Sequence, residues 1–161
     1  MQDLMLDYFS AEKSEAVLFV VAGIAAIAAS IWLWTSGNAY KGMAIPLTAV
    51  ALIHLSVGLS VYTRTDGQVA ALQQQLQQQP AQYKAAETQR MAVVMKNFGY
   101  YKALELVLFA LGLALTFLCR DQMFWYAVGA GLILQSSFTL FLDLFAEKRG
   151  DIYLDALSTL S

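Results

Sequence analysis

The stretch AVLFVVAGIAAIAASIWLWTSGNAY, residues 16–40, runs for 25 residues without a charged side chain. About 20 apolar residues carry a helix across the hydrocarbon core of a bilayer. Lipid cannot satisfy backbone polar groups, so a segment of this kind must be a helix bonded within itself. Residues 42–63 add a second run of 22, with His54 its only group ionisable near neutral pH, and residues 122–142 add another of 21 without a charge. Residues 106–119 number only 14. That run reaches spanning length by extending back through Glu105 and Lys102 to Tyr100, with those groups near the interface. The whole chain agrees, being 58% hydrophobic and 14% charged over 161 residues, against about 45–50% and 25% in soluble domains.

The expected fold is therefore an all-α integral membrane protein, a four-transmembrane-helix bundle forming a single domain. Its spans are placed at 15–37, 42–63, 100–119 and 122–146. Orientation follows Lys and Arg. Lys13, Arg64, Lys84, Arg90, Lys96, Lys102, Lys148 and Arg149 fall on one side, and only Lys41 and Arg120 on the other. Both termini are expected in the cytoplasm. Trp32, Trp34 and Trp125 then mark the outer interface, and Tyr62, Tyr100 and Tyr101 the inner one. The first residues hold Asp3, Asp7, Glu12 and Glu15 against Lys13. This lacks the basic start of a secretory signal, so the first span is expected to remain as an anchor.

The connection 64–102 contains a glutamine-rich run, 73–79, which is compatible with a low-complexity loop. Helical spacing of Val69, Leu72 and Leu76, and of Met91, Val94, Met95 and Phe98, favours instead a cytoplasmic helical hairpin over 64–99 that turns at Pro80. Its two arms are expected to pack chiefly on each other. Residues 1–14 and 151–161 interleave apolar stripes with acids and read as interfacial helices on the inner membrane surface. The stripes are Leu4, Met5, Tyr8 and Phe9, and Tyr153, Leu154, Leu157 and Leu160. Gly150 and Asp151 are expected to stop the last span and restart the terminal helix.

Polar groups within lipid are costly and become candidates for function. His54 and Gln135 lie at comparable depth, as an interhelical hydrogen bond or as part of a proton or ligand path. Arg64, Lys102, Glu105 and Asp143 form a polar inner collar. Lys102 is spaced to pair with Glu105 and Arg64 placed to neutralise Asp143, and the two acids are alternatively a gate for a proton or cation. Ala22, Ala26 and Ser30 make a small-residue face on the first span, suited to close packing inside the bundle or to a foreign helix. Ala110 with Ala114, and Ala127 with Gly131, offer similar faces.

Several classes are excluded. A net charge of −2 and a pI near 5.2 provide no basic surface for nucleic acid. Cys119 is the sole cysteine, which removes thiol redox chemistry and zinc spacing. There is no phosphate loop, HExxH or hydrolase triad, so neither an enzyme, a metal nor a cofactor is expected. In architecture the chain resembles the four-span inner-membrane immunity proteins that protect bacteria against pore-forming toxins. That resemblance implies a bacterial inner-membrane location and a non-enzymatic mechanism, capture of a toxin's membrane-inserting helix. Partner contacts are then expected at Ala22, Ala26, Ser30, His54 and Gln135. The alternatives are a small oligomeric ion- or proton-coupled transporter, and a membrane adaptor acting through its hairpin.

Overall fold

The computed structural model describes residues 1–159 and is all-helical. Its helices are α1 (Gln2–Thr35), α2 (Ala44–Gln78), α3 (Pro80–Leu118) and α4 (Met123–Ser158), with one 3-10 turn at Lys41–Met43. They contain 34, 35, 39 and 36 residues. At about 1.5 Å per residue each is roughly 50–60 Å long, whereas the hydrocarbon core is about 30 Å thick. All four are long and apolar enough to cross a membrane, and each extends well beyond that length. In α3 only 11% of the most apolar window is buried by protein. Leu104, Leu106, Val107, Leu111 and Phe117 are exposed, and a lipid surround is the environment in which such a surface is stable.

The chain makes two antiparallel hairpins. α1 packs along α2, and α3 along α4; the hairpins meet mainly where α4 packs against the Lys41–Met43 turn and α2, and the backbones of α1 and α3 stay apart. Glycines set the closest crossings. A Cβ on Gly112 would lie 2.8 Å from the Gly129 carbonyl oxygen, and one on Gly129 would lie 2.7 Å from that of Gly112. The expected small face of α3 is thus misplaced by two residues, because Ala110 and Ala114 face outward. On α4, Ala127 and Gly131 are both buried, as a packing face requires.

One end of the bundle holds the two short connections. There a Cβ on Gly42 would meet the Phe124 carbonyl oxygen, and one on Gly131 would meet Pro46 and Met43. Together with the Leu33, Ala44 and Leu47 cluster, this close packing shuts that end.

The other end gathers the chain start, the Gln79 turn and the end of α4, and corrects three expectations. First, residues 1–14 are not a separate surface helix but the first turns of α1. Second, α4 runs through Gly150 without a stop. Gly150 is buried, and a Cβ there would lie 2.7 Å from Met95 Sδ, so it serves close packing against α3 rather than helix termination. Third, the α2 and α3 extensions do not pack chiefly on each other. Met5, Tyr8 and Phe9 of α1, Tyr83 and Met91 of α3, and Tyr153 and Leu157 of α4 form one buried cluster, joined by Val69, Leu72 and Leu76 of α2. Apart from the exposed Leu4, the described residues of the apolar stripes assigned to a lipid surface pack into a four-helix head. Leu160 lies outside the described residues.

Candidate functional site

The loose seam between the hairpins leaves a cavity of about 500 Å³. It begins near the middle of the spans at Val50, His54, Leu108, Leu132 and Gln135, and runs along the helices to Tyr8, Glu12, Glu15 and Arg149 at the head. Its lips are Ile53 and Val57 of α2 and Tyr101 and Leu104 of α3. All four line the cavity and are 45–59% exposed, so the cavity opens sideways, into the layer where lipid would lie. On α4 the lining runs from Leu132 to Arg149, a length of about 25 Å at 1.5 Å per residue. The cavity is thus an elongated slot along the helices.

Each polar group reaches the slot for a local reason. His54 is buried, and its Nε2 lies 3.3 Å from Thr139 Oγ1, with Phe19 4.9 Å away between ring centroids. Its side-chain partner is therefore Thr139, one helical turn beyond the expected Gln135, which is buried beside it. Thr139 also donates to the Gln135 carbonyl oxygen at 2.9 Å, so the hydroxyl accepts from His54 when the imidazole is protonated at Nε2.

The inner collar exists with different pairings. Lys102 bonds Glu147 at 2.6 and 2.7 Å, not Glu105. Arg64 lies 3.4 Å from Glu12, not against Asp143, and Arg149 pairs with Glu15. The residue four places after Asp143 on α4 takes the lysine because it lies nearer the head, where a long side chain reaches it in a more polar layer. Glu105 and Asp143 are left to each other. Both are buried and line the slot, their carboxyls within hydrogen-bonding reach. Glu105 Oε2 is fully enclosed and has no hydrogen-bond partner. Two carboxyls in contact hold a proton or a cation between them, since ionised oxygens only accept.

The small face of α1 points elsewhere. Ala26 packs against the Leu33, Ala44 and Leu47 cluster, and Ser30 is buried with its hydroxyl donating to the Ala26 carbonyl oxygen at 2.8 Å. Neither lines the slot, nor does Ala22, which is half-buried.

A second polar cluster, in the head, has no counterpart in the sequence expectations. Glu87 is 2% exposed and receives two bonds from Arg90, at 2.8 and 2.7 Å, and one from the Tyr153 hydroxyl at 3.0 Å. The Tyr83 hydroxyl lies 2.7 Å from that of Tyr153. Tyr8 stacks on Tyr153 at 4.8 Å, and the Arg90 guanidinium lies 5.3 Å from the Phe9 ring centre. Burial raises the Tyr8 phenol to about 12 and also raises those of Tyr83 and Tyr153. The i, i+3 spacing of Glu87 and Arg90 was the available signal; nothing local links either to Tyr153.

Among the described residues no cluster of three acidic, histidine or cysteine side chains could hold a metal. Compared with family models, curated proteins and solved structures, the chain matches none.

Proposed function

We propose that this is a non-enzymatic protein of the bacterial inner membrane, with both termini cytoplasmic, that captures a guest from within the bilayer. The guest is the membrane-inserting helix of a pore-forming toxin, and the protein confers immunity. The observation that carries the proposal is the side-opening slot, shut at the loop end by the Gly42 and Gly131 contacts. A slot that opens to lipid and ends inside one subunit is built to hold a membrane-embedded guest rather than to conduct. Apolar lips with a few polar groups behind them match recognition of a helix in lipid, where tight packing and interhelical hydrogen bonds drive association. The lysine and arginine distribution supports the orientation.

The test is membrane potential, followed with a voltage-sensitive dye, in cells lacking the protein. Depolarisation only on contact with the parent strain, abolished by re-expression, is expected. Equal potential with and without contact overturns the immunity proposal.

One observation favours a second reading, an ion- or proton-coupled transporter: the contact of Glu105 with Asp143, with His54 further along the same slot. It requires pH-dependent flux in liposomes that Glu105→Gln abolishes.

A further inference from the structure

We infer that the slot recognises a cationic group set part-way along an apolar helix: a lysine or arginine within the inserted segment of the guest, received by Glu105 and Asp143. This rests on the guest-capture reading and names the chemistry of its specificity.

Three observations carry it. The slot is lined by four carboxyl groups, Glu12, Glu15, Glu105 and Asp143, against one guanidinium, Arg149. Glu12 and Glu15 have arginine partners, although Glu12 Oε2 is itself enclosed without one, whereas the carboxyls of Glu105 and Asp143 meet each other and feel Lys102 only at a distance. Glu105 is 6% exposed, and its Oε2 is enclosed without a partner in the slot wall. A buried acceptor left unpaired costs about 1–3 kcal/mol, more when charged, and a cation held against the carboxyl pair from the slot offsets part of that cost.

Shape chooses the occupant. The slot runs along the helices for about 25 Å and opens sideways between the exposed lips Ile53, Val57, Tyr101 and Leu104. A guest helix therefore lies across Ile53, Val57, Tyr101 and Leu104 and fills the slot with residues spaced three and four apart. A single alkyl chain would also lie along the slot, but its charge sits at one end. Here the acids lie part-way along, with Leu108, Leu132 and Val50 beyond them. A basic side chain inside an apolar run places its charge at that level, its methylenes covering the apolar wall as it reaches in.

The experiment uses the full chain in phosphatidylcholine–phosphatidylglycerol vesicles and two synthetic single-span leucine–alanine peptides. They are identical except for Lys or Gln one-third of the way along, and association is read by energy transfer. Tetraphenylphosphonium serves as a small lipophilic cation. The Lys peptide is expected to bind at least tenfold more tightly than the Gln peptide. Glu105→Gln with Asp143→Asn should remove that difference while leaving Gln-peptide binding intact. Should the double variant fail to fold, the preference of the unaltered protein for Lys over Gln still decides. Equal binding of both peptides overturns the inference but leaves guest capture standing. Binding of neither overturns both for helices of this kind. Carboxylate-dependent binding of tetraphenylphosphonium without peptide binding overturns the helical guest in favour of a small cation.

Discussion

Arg90→Leu tests whether the head is a folded part of the protein. Arg90 supplies two of the three hydrogen bonds received by Glu87, at 2.8 and 2.7 Å, and Tyr153 supplies the third at 3.0 Å. Without Arg90 a carboxylate 2% exposed stays inside the head with Tyr153 as its single donor. Removing one partner of a buried pair costs about 3–5 kcal/mol. The Arg90 side chain is 27% exposed, so water screens the pair in part and the lower end, about 3 kcal/mol, applies. For a chain of this size 1 kcal/mol moves the unfolding midpoint by about 2–4 °C, which gives a fall of about 10 °C. Circular dichroism at 222 nm during heating in detergent micelles reads it. Adding Glu87→Gln removes the stranded charge while keeping an acceptor for Tyr153, and should recover at least half the loss. A midpoint for Arg90→Leu within 1 °C of the parent protein would refute the account of the head as a packed, dry cluster.

Further outcomes follow from the same contacts. Gly150→Pro should break α4 where it crosses α3, at a cost of about 3 kcal/mol or more, read by the same melt; an unchanged midpoint would return Gly150 to the role of a linker between two helices. Alkaline pH should destabilise the head. Tyr8 ionises near 10 when unfolded and near 12 when folded, so the stability it contributes is complete below pH 10 and is lost as pH rises to 12. Between pH 9 and 11.5 the midpoint should fall less in Tyr8→Phe than in the parent protein, and equal falls would contradict that assignment.

How far the sequence reaches is clearest in particular residues. Uncharged runs such as 16–40 reveal long apolar helices because the lipid core admits no other local structure, and Pro80 marks the turn because it fits the first helical position. The ends of the chain misled for a physical reason. An apolar stripe shows that a face must be covered, not what covers it, and Met5, Tyr8 and Tyr153 are covered by one another and by side chains of α2 and α3 rather than by lipid. Gly150 read as a stop because glycine serves both helix ends and close crossings, and only its approach to Met95 separates them. At the candidate site, Glu105 and Asp143 were visible as costly groups in an apolar setting. Their partners were not, since Lys102 and Glu147 meet through the relative rotation of α3 and α4, which no spacing within one helix encodes.

Filling the slot between the hairpins tests whether a guest is held there. Ala146 lines the slot, whereas Ala114 faces outward on α3. Ala146→Phe and Ala114→Phe, expressed in cells lacking the protein and checked for equal membrane insertion, would be compared for depolarisation on contact with the parent strain. Loss of protection with Ala146→Phe alone is the expected result. Full protection by a correctly inserted Ala146→Phe protein would contradict the account.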